Sequence, residues 1–255
     1  MKIVTWNVNS LKVRLEQVQN WLAENQADVV CLQETKTEDV NFPLAELQQA
    51  GYQVVFSGQK TYNGVAIISK QAASDVQYGI PNFEDVQKRL IAATINGVRI
   101  VCVYIPNGES VESDKYQYKL AWLSALKEWL KEELQRYPKL ALLGDYNIAP
   151  DDRDVHDPAA WAGKVLCSEP ERAAYKDLQQ LGLRDAFRLF EQPEKLFSWW
   201  DYRMMGFRRN HGMRIDHILI SELIECSACS IDKAPRKLER PSDHTPVWAD
   251  ISVTG

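Results

Sequence analysis

Residues 140–150 read Leu-Ala-Leu-Leu-Gly-Asp-Tyr-Asn-Ile-Ala-Pro, and this stretch predicts a buried strand that ends in polar side chains. The apolar run at 140–143 is short and bounded by turn residues, as expected of a strand buried on both faces. Gly144 lets the backbone turn, and Asp145 and Asn147 follow at alternate positions, so their side chains point the same way in an extended chain. A carboxylate and an amide presented together can bind a hard cation and a phosphoryl oxygen. An ordinary turn that closes a strand is the alternative interpretation, because Gly, Asp and Asn are common there.

The composition is that of a globular protein with a sizeable core. The chain has 255 residues, of which 45% are hydrophobic and 25% charged, and its formal net charge is −5. This charge argues against a protein that coats nucleic acid through bulk attraction, but it is compatible with a local basic surface that meets DNA. No apolar run approaches the roughly 18 residues that span a bilayer. The N-terminus reads as a strand and not as a signal peptide, so we expect no membrane association.

The cysteines indicate a reducing compartment. There are five, scattered along the chain, and an odd, scattered set is typical of free thiols in a cytosolic protein. Cys226 and Cys229 have the spacing of a zinc-binding pair, but no second pair accompanies them, so we expect no zinc site there. We therefore predict a cytoplasmic protein, and we expect it to be a monomer.

Strand-like and helical segments alternate along the chain, which predicts a single α/β domain over residues 1–255. We interpret Ser10 as the N-cap of the first helix. Asn96 and Gly97 separate two apolar runs and give the strongest hairpin signal, whereas the polar stretch 151–171 has the length of a functional or disordered loop. Strands are predicted at 3–8, 28–32, 52–57, 65–68, 90–94, 98–105, 140–143, 215–220 and 247–251, and helices at 11–22, 44–50, 115–136 and 173–181.

Polar or ionisable side chains follow several of the apolar strands. They are Asn7, Glu34, Tyr104, Asp145 with Asn147, Asp216, and Asp243 with His244. Any one of these residues could be incidental, but layered α/β folds build their sites at strand ends. The repetition therefore predicts one site to which distant parts of the chain contribute.

Six motifs occur in the order and spacing of a known family. They are Thr-Trp-Asn-Val-Asn at 5–9, Leu-Gln-Glu-Thr-Lys at 32–36, Asn-Gly-Val-Ala at 63–66, Gly-Asp-Tyr-Asn at 144–147, Arg-Ile-Asp at 214–216 and Pro-Ser-Asp-His-Thr-Pro at 241–246. Together they resemble the exonuclease III and AP endonuclease family of the endonuclease/exonuclease/phosphatase superfamily, over essentially the whole chain. The resemblance implies an α/β four-layer sandwich, in which two mixed β-sheets pack face to face and are flanked by helices.

The resemblance also implies roles for the site residues. Glu34 is the implied principal metal ligand, Asp145 handles protons, and Tyr104 hydrogen-bonds the scissile phosphate. His244 is oriented by Asp216 and contacts the phosphate or serves as the base, so the choice of Asp145 or His244 as base stays open. A structural ion pair is the alternative for Asp216 and His244. The implied metal ligands are Asn7, Glu34, Asp145, Asn147, Asp243 and His244, and the implied catalytic residues are Tyr104, Asp145, Asn147, Asp216 and His244.

The chemistry of these side chains indicates a divalent cation. Four carboxylates brought into one pocket would repel one another unless a cation intervenes. Oxygen ligands from Asp and Glu suit Mg²⁺, with Mn²⁺ as the alternative. Cleavage of a phosphodiester then needs an in-line water, a base and neutralisation of charge on the phosphoryl oxygens.

The stretch 197–214 mixes aromatic and arginine side chains, which can engage bases and backbone phosphates. The alternative is a solvated basic loop over an aromatic cluster. The predicted DNA-binding residues are Arg89, Lys119, Trp199, Trp200, Arg203, Arg208 and Arg209, with Lys88 and Lys115 as extensions. His156 and His217 are interpreted as surface or strand histidines, and His211 likewise, with a phosphate contact as its alternative.

The implied activity is hydrolysis of phosphodiesters at 3′ ends or at abasic sites of duplex DNA. The family implies a 3′→5′ exonuclease, a 3′-phosphatase or phosphodiesterase, and an AP endonuclease. An abasic sugar must flip into a pocket, and we hypothesise that Trp161 and Leu166 of the 151–171 stretch either shape or plug that pocket. The alternatives are a phosphatase that acts on a small or lipid phosphoester, and a catalytically inactive DNA-binding module.

Overall fold

The computed structural model describes residues 1–253, which form two six-stranded β-sheets and one two-stranded sheet. The strands are β1 Lys2–Asn7, β2 Val29–Gln33, β3 Gln53–Ser57, β4 Val65–Ser69, β5 Ser74–Tyr78, β6 Leu90–Ile95, β7 Val98–Tyr104, β8 Leu140–Asp145, β9 Leu183–Asp185, β10 Trp199–Trp200, β11 Gly212–Met213, β12 Asp216–Ser221, β13 Ile224–Ile231 and β14 Val247–Val253. The α-helices are α1 Leu11–Asn25, α2 Leu44–Gln49, α3 Asp114–Arg136, α4 Pro158–Trp161, α5 Glu169–Gln180 and α6 Gly206–Arg209.

Both large sheets mix parallel and antiparallel neighbours. The first has the order β13-β14-β1-β2-β4-β3, and β1 runs parallel to β2. The second has the order β5-β6-β7-β8-β12-β9, and β7 runs parallel to β8. Strands β10 and β11 pair with each other in a separate ribbon.

Alternation of side chains along the buried strands produces the layers. In β8, Ala141 and Leu143 belong to the core between the two sheets, whereas Leu140 and Leu142 belong to a second core on the outer face. Helices α3 and α5 pack on that second core, and α1 and α2 pack on the outer face of the first sheet. The predicted α/β four-layer sandwich is therefore confirmed.

The local predictions differ from the structure in three instructive places. Ser10 precedes α1 but makes no capping hydrogen bond with its side chain, so the N-cap prediction is correct in position and wrong in mechanism. The stretch 151–171 is not structureless, because it contains the 3₁₀ helix Asp152–Asp154, helix α4 and the start of α5. Strands β5, β9 and β13 are not predicted from the sequence. Strand β9 has only three residues, and β5 and β13 carry polar side chains at positions that face solvent.

The five cysteines are all free thiols, and Cys226 and Cys229 lie in β13. Within residues 1–253, no helix combines the length and the hydropathy that a membrane-spanning segment requires.

Strand register brings the distant motifs to one place. Asn7 pairs with Gln33 at the ends of β1 and β2, which places Glu34 one residue beyond Asn7. In the other large sheet, Asp145 at the end of β8 is opposite Tyr104 on one side and Asp216 on the other. Because the sheets are packed face to face, these ends converge at one edge of the sandwich.

Candidate active site

Asn7 joins the two carboxylates at the centre of the site. Its side-chain nitrogen donates a hydrogen bond to Glu34 Oε1 at 2.8 Å and another to Asp145 Oδ2 at 2.9 Å. Its side-chain oxygen, which would be the cation-binding atom, accepts from the backbone N–H of Asn9 at 3.0 Å. Asn7 thus holds the carboxylates of Glu34 and Asp145 close together by hydrogen bonds to both. Its own role as a metal ligand stays a prediction.

Glu34, Asp145 and His244 offer ligand atoms that all lie within 4.8 Å of one another. Two carboxylates and one imidazole at this spacing fit a divalent cation of the Mg²⁺ or Mn²⁺ type, since carboxylate oxygens are preferred ligands of both. Glu34 has a left-handed backbone, with φ of 50°, and its second oxygen lies 2.9 Å from Nζ of Lys36. A non-glycine residue held in this conformation is uncommon and often marks a functional position.

His244 lies between two carboxylates. Its Nδ1 donates to Asp216 Oδ2 at 2.9 Å, and its Nε2 is 3.6 Å from Asp145 Oδ2. Ser198 orients the partner by donating to Asp216 Oδ2 at 2.7 Å. Burial disfavours the charged imidazolium, but the negative charges of Asp216 and Asp145 outweigh it and raise the pKa of His244 to about 10.

The same surroundings shift the proton affinity of Asp145 and Tyr104. Burial raises the pKa of Asp145 to about 7, despite the opposing positive charge of His244. Burial, followed by the charges of Glu34 and Asp145, raises the pKa of Tyr104 well above its usual range. Tyr104 is therefore a neutral hydrogen-bond donor near neutral pH, and Asp145 is able to exchange a proton there.

Asn147 is held from several sides. Its backbone N–H donates to Asp145 Oδ1 at 2.9 Å, and its side-chain nitrogen donates to the carbonyl of Ile105 at 3.0 Å. Asn107 donates to its side-chain oxygen at 3.1 Å. The phosphate and metal contacts predicted for Asn147 stay predictions, but these bonds fix its amide beside Asp145. Asn107 has no part in the sequence interpretation, although it follows the predicted strand end at Tyr104.

Asp243 is engaged by two hydrogen-bond donors. Its Oδ1 accepts from Asn9 at 2.9 Å, and its Oδ2 accepts from the indole N–H of Trp199 at 3.0 Å. It does not belong to the three-residue cluster found within residues 1–253, so its role as a metal ligand stays a prediction. Asn9 contacts Asp243 and Lys36 contacts Glu34, but the sequence interpretation gives neither residue a role. Both lie inside the motifs at 5–9 and 32–36, which were the signal available for them.

Lys119 does not face solvent, which corrects its assignment to the DNA surface. It is 0% exposed, and its ammonium group donates to the carbonyls of Asn147 at 2.7 Å and Asn107 at 3.1 Å. It also forms a buried ion pair with Glu171. Lys119 therefore supports the active-site loops from inside. The Ser168-x-x-Glu171 capping box, which the sequence does display, was the signal for Glu171.

The predicted DNA-binding residues of the 197–214 stretch divide by exposure. Trp200 is 0% exposed and donates to Asn210, so its assignment to the DNA surface is wrong. Arg208 and Arg209 are exposed on α6, and Arg203 is exposed but paired with Asp201. Trp199 is half-buried against Asp243. In the 197–214 stretch, the aromatic side chain of Trp200 is therefore buried, and the side chains of Arg203, Arg208 and Arg209 are exposed to solvent.

Arg89 borders a cleft beside the active site. Its guanidinium lies 4.6 Å from the centre of the Tyr104 ring and donates to Gln87 at 2.8 Å. The cleft has a volume of about 680 Å³ and is lined by Tyr104, Asn107 and Lys115 as well as Arg89. Arg89 is therefore accessible in the cleft beside Tyr104, and its role in DNA binding stays a prediction.

The remaining histidines do not join the cluster of Glu34, Asp145 and His244. His217 is buried in β12, donates from Nε2 to the carbonyl of Ile148 at 2.8 Å and lies against Arg214. His156 and His211 stack on each other, with ring centres 4.8 Å apart. The interpretation of His217 as a strand histidine is confirmed by β12.

The sequence interpretation assigns no role to Met204 and Met205, which lie in the 197–214 stretch. They are 76% and 54% exposed and adopt left-handed backbone angles, with φ of 57° and 53°. Two adjacent, exposed apolar side chains on a strained loop are unusual for a solvated surface. Their signal in the sequence is an apolar pair inside an arginine-rich segment.

The sequence and structure match those of known proteins over nearly their full length. Residues 4–244 match the Endonuclease/Exonuclease/phosphatase family. The chain is 36% identical to Exodeoxyribonuclease III of Haemophilus influenzae, covering 98% of this chain and 100% of that protein. It superimposes on the Neisseria 3′ phosphatase NExo bound to product DNA hairpin with a TM-score of 0.97 and 49% identity, over 99% of each chain. An AP endonuclease from Archaeoglobus fulgidus gives a TM-score of 0.95 and 41% identity, over 99% of this chain and 100% of that one.

The chain therefore belongs to the endonuclease/exonuclease/phosphatase family. Within it, the relatives place the chain in the exonuclease III and AP endonuclease branch, and it is a hydrolytic DNA repair nuclease of the exonuclease III type.

Proposed function

We propose that this nuclease uses a divalent cation, Mg²⁺ with Mn²⁺ as a substitute, to hydrolyse phosphate esters at the 3′ ends of duplex DNA. The observation that carries the proposal is the convergence of Glu34, Asp145 and His244 within 4.8 Å. Glu34 is the residue that would hold the cation, with Asn7, Asn147 and Asp243 as further candidates. Asp145 borders the same site and handles protons, and the imidazolium of His244 has no free lone pair to offer a metal. When bound, the cation would neutralise phosphoryl charge and assist the leaving oxygen.

The side chains divide the remaining work. His244, a cation near neutral pH because of Asp216 and Asp145, donates to a phosphoryl oxygen. Asp145 exchanges a proton with the attacking water or with the leaving oxygen, since it lies 3.6 Å from His244 Nε2 and burial raises its pKa to about 7 in the metal-free site. Tyr104 and Asn147 donate hydrogen bonds to the phosphate. The high pKa of His244 favours Asp145 over His244 as the base, which the sequence leaves open.

Duplex DNA is the partner that the surface suits. Arg89 lines the cleft beside Tyr104, and Arg208 and Arg209 are exposed on α6. Several accessible cations favour a polyanion over a small phosphoester. Met204 and Met205 add an apolar tip of the kind that DNA-bending proteins insert between base steps. A phosphatase for lipid or inositol head groups would not need such an extended surface.

We propose that activity at 3′ ends exceeds activity at abasic sites, because of the packing of residues 151–171. Leu166 is 4% exposed and packs with Met213 and Ile215, and Trp161 and Trp199 border the same cluster. This packing supports the hypothesis that the stretch plugs the space that an abasic sugar would enter. The similarity to a 3′ phosphatase from Neisseria also favours 3′-end work.

A substrate panel on the purified protein tests the proposal. Duplexes that carry a 3′-phosphate, a plain recessed 3′ end or an internal tetrahydrofuran abasic analogue are incubated with Mg²⁺, Mn²⁺ or EDTA. We expect rapid 3′-phosphate release with metal and none with EDTA or in the Asp145→Asn variant. Full activity in EDTA would contradict the metal-dependent mechanism.

The same panel tests the plug. Leu166→Ala and Trp161→Ala are expected to raise incision at tetrahydrofuran relative to 3′-phosphate release, with the exposed Lys176→Ala as control. Comparable wild-type rates on the two substrates would contradict the plug hypothesis. We also propose that residues 1–255 act as a monomeric, single-domain enzyme in the cytoplasm, which sedimentation and cell fractionation can test.

A further inference from the structure

Arg236 is a buried cation that has no part in the chemistry described above. It belongs to the 3₁₀ helix Ala234–Lys237 and is 6% exposed. Within residues 1–253, its Nε has no hydrogen-bond partner. An incompletely paired charge is costly to bury, so the contacts that hold Arg236 inside must compensate for its desolvation.

Three aromatic rings provide one set of these contacts. The guanidinium carbon lies 4.9 Å from the centre of the Phe207 ring, 5.6 Å from Tyr202 and 5.8 Å from Trp200. A guanidinium is planar and weakly hydrated, so aromatic faces can replace part of its water. Tyr202 and Phe207 flank the exposed Met204 and Met205, so Arg236 packs against the base of this DNA-facing loop, residues 202–209.

A backbone carbonyl provides the other contact. Nη1 of Arg236 donates to the carbonyl oxygen of Ser242 at 2.9 Å. The hydroxyl of Ser242 donates to the carbonyl of Asn7 at 2.7 Å and accepts from the backbone N–H of His244 at 3.2 Å. Ser242 therefore connects the end of β1 to the residue that pairs with Asp216.

Trp200 and Tyr202, which precede and begin the loop, also hydrogen-bond to Asp243 and Pro241, the two chain neighbours of Ser242. The backbone N–H of Trp200 donates to the carbonyl of Asp243 at 3.0 Å, and the hydroxyl of Tyr202 donates to the carbonyl of Pro241 at 2.7 Å. Arg236 lies against both partners of this junction, the rings of one and the Ser242 carbonyl of the other.

We propose that Arg236 is a positioning residue that couples the DNA-facing loop 202–209 to the catalytic segment 242–244. This inference rests on the proposed function, because it assigns the loop to DNA and His244 to the phosphate. Contact with the guanidinium holds the rings of Trp200, Tyr202 and Phe207 in place. The hydrogen bond to the Ser242 carbonyl holds the backbone that positions His244. Loss of the guanidinium should therefore weaken DNA binding and slow the chemical step together.

The two contacts can be separated by substitution. Arg236→Met removes both the charge and the donor, whereas Arg236→Lys keeps a charged donor and loses the planar stacking. Lys237→Met, an exposed neighbour on the same 3₁₀ helix, is the control. The probe is a duplex with a 3′-phosphate. Its affinity is measured by anisotropy in EDTA, and its single-turnover hydrolysis is measured with Mg²⁺ at saturating enzyme.

We expect Arg236→Met to weaken binding and to slow single-turnover hydrolysis, each roughly tenfold. Arg236→Lys should restore most of the hydrolysis rate but not the affinity, and Lys237→Met should match the wild type. A folded Arg236→Met protein with wild-type affinity and rate would overturn the proposal, even if its melting temperature falls. If Arg236→Met does not fold, Arg236→Lys and Phe207→Leu decide the matter, because unchanged affinity in both would equally overturn it.

The same experiment distinguishes the failure of this inference from that of the proposed function. A wild-type protein that releases no phosphate from the probe contradicts the proposed function itself. An active wild type whose constants Arg236→Met leaves unchanged contradicts the positioning role alone.

Discussion

Nδ1 of His244 lies 2.9 Å from Oδ2 of Asp216, in a pair that is buried on both sides. Because the charge of Asp216 is the largest influence that raises the pKa of His244, Asp216→Asn should lower that pKa substantially. We expect kcat to fall by roughly a hundredfold or more, since a neutral His244 cannot stabilise the phosphoryl oxygens in the same way. Imidazole resonances followed by NMR across pH in metal-free protein report the shift. Unchanged titration of His244 in Asp216→Asn would show that Asp216 does not control it.

The buried pair of Lys119 and Glu171 should behave differently from a surface pair. Lys119→Met alone leaves a carboxylate unpaired in the interior and should cost about 3–5 kcal/mol of unfolding free energy. The double variant Lys119→Met with Glu171→Leu should regain part of that stability, because no charge is then buried without its counterion, although the backbone N–H groups of Leu166 and Ser168 lose their acceptor. Lys131→Met, which breaks an exposed pair with Glu128, is the control and should cost under about 1 kcal/mol. Urea denaturation measures all of these. A double variant no more stable than Lys119→Met would contradict this account.

The layers and much of the site could be predicted, because the relevant signals are local. The continuous apolar run of residues 140–143 and the polar groups at strand ends are visible in short windows. Asp145 and Glu34 are predicted in this way. They lie in different sheets, and they meet because the two sheets pack face to face, with Asn7 hydrogen-bonded to both.

The errors concern side chains whose direction is decided by a hydrogen-bond partner that the spacing of residues does not reveal. Lys119 looks like a surface lysine on a helix, and only Glu171, 52 residues later, explains its burial. Trp200 looks like a stacking aromatic, but its indole N–H finds Asn210 inside the loop. Glu171 lies outside any short window around Lys119, whereas Asn210 lies in the same stretch as Trp200 but local spacing does not reveal that the two are hydrogen-bonded.

The salt dependence of duplex affinity should distinguish the contribution of charged side chains in the DNA-facing loop from that of apolar ones. Arg208→Gln with Arg209→Gln should reduce the slope of log affinity against log salt by about 2, one for each lost phosphate contact. Met204→Ala with Met205→Ala should weaken duplex binding by roughly tenfold without changing that slope, because no counterions are involved. Fluorescence anisotropy at several salt concentrations, in EDTA, measures both quantities. A methionine pair that can be removed without loss of affinity would not be inserted into the duplex.

Metal binding should depend on Glu34 more than on neighbouring acidic side chains. Glu34→Gln retains the shape and loses the charge, so we expect Mg²⁺ affinity to fall at least roughly tenfold. Glu38→Gln, an exposed acid four residues away, is the control and should bind the cation as the wild type does. Calorimetric titration of Mg²⁺ or Mn²⁺ into metal-free protein gives the affinity without relying on turnover. Equal affinities for Glu34→Gln and wild type would remove Glu34 from the ligand set.

The free energy of unfolding should decrease at acidic pH partly because of His217. Burial, assisted by the positive charge of Arg214, lowers the pKa of His217 from its ordinary value of 6.5 to about 4. Between these two values the unfolded chain binds more protons than the folded one, so stability is complete above pH 6.5 and falls as the pH decreases toward 4. The loss attributable to this residue is roughly 3 kcal/mol.

His217→Gln provides the test, because its amide N–H can still donate to the carbonyl of Ile148. The variant should unfold cooperatively at pH 8 and should lose less stability than the wild type on acidification, whatever its absolute stability. Urea midpoints at intervals between pH 8 and pH 4 give the two profiles. Parallel profiles would mean that His217 does not titrate on unfolding in this range. The carboxylates of Asp154 and Asp185 do not mimic the effect, because Arg214 lowers their pKa values below 3.8 despite their burial, and their contribution is lost mainly at still lower pH.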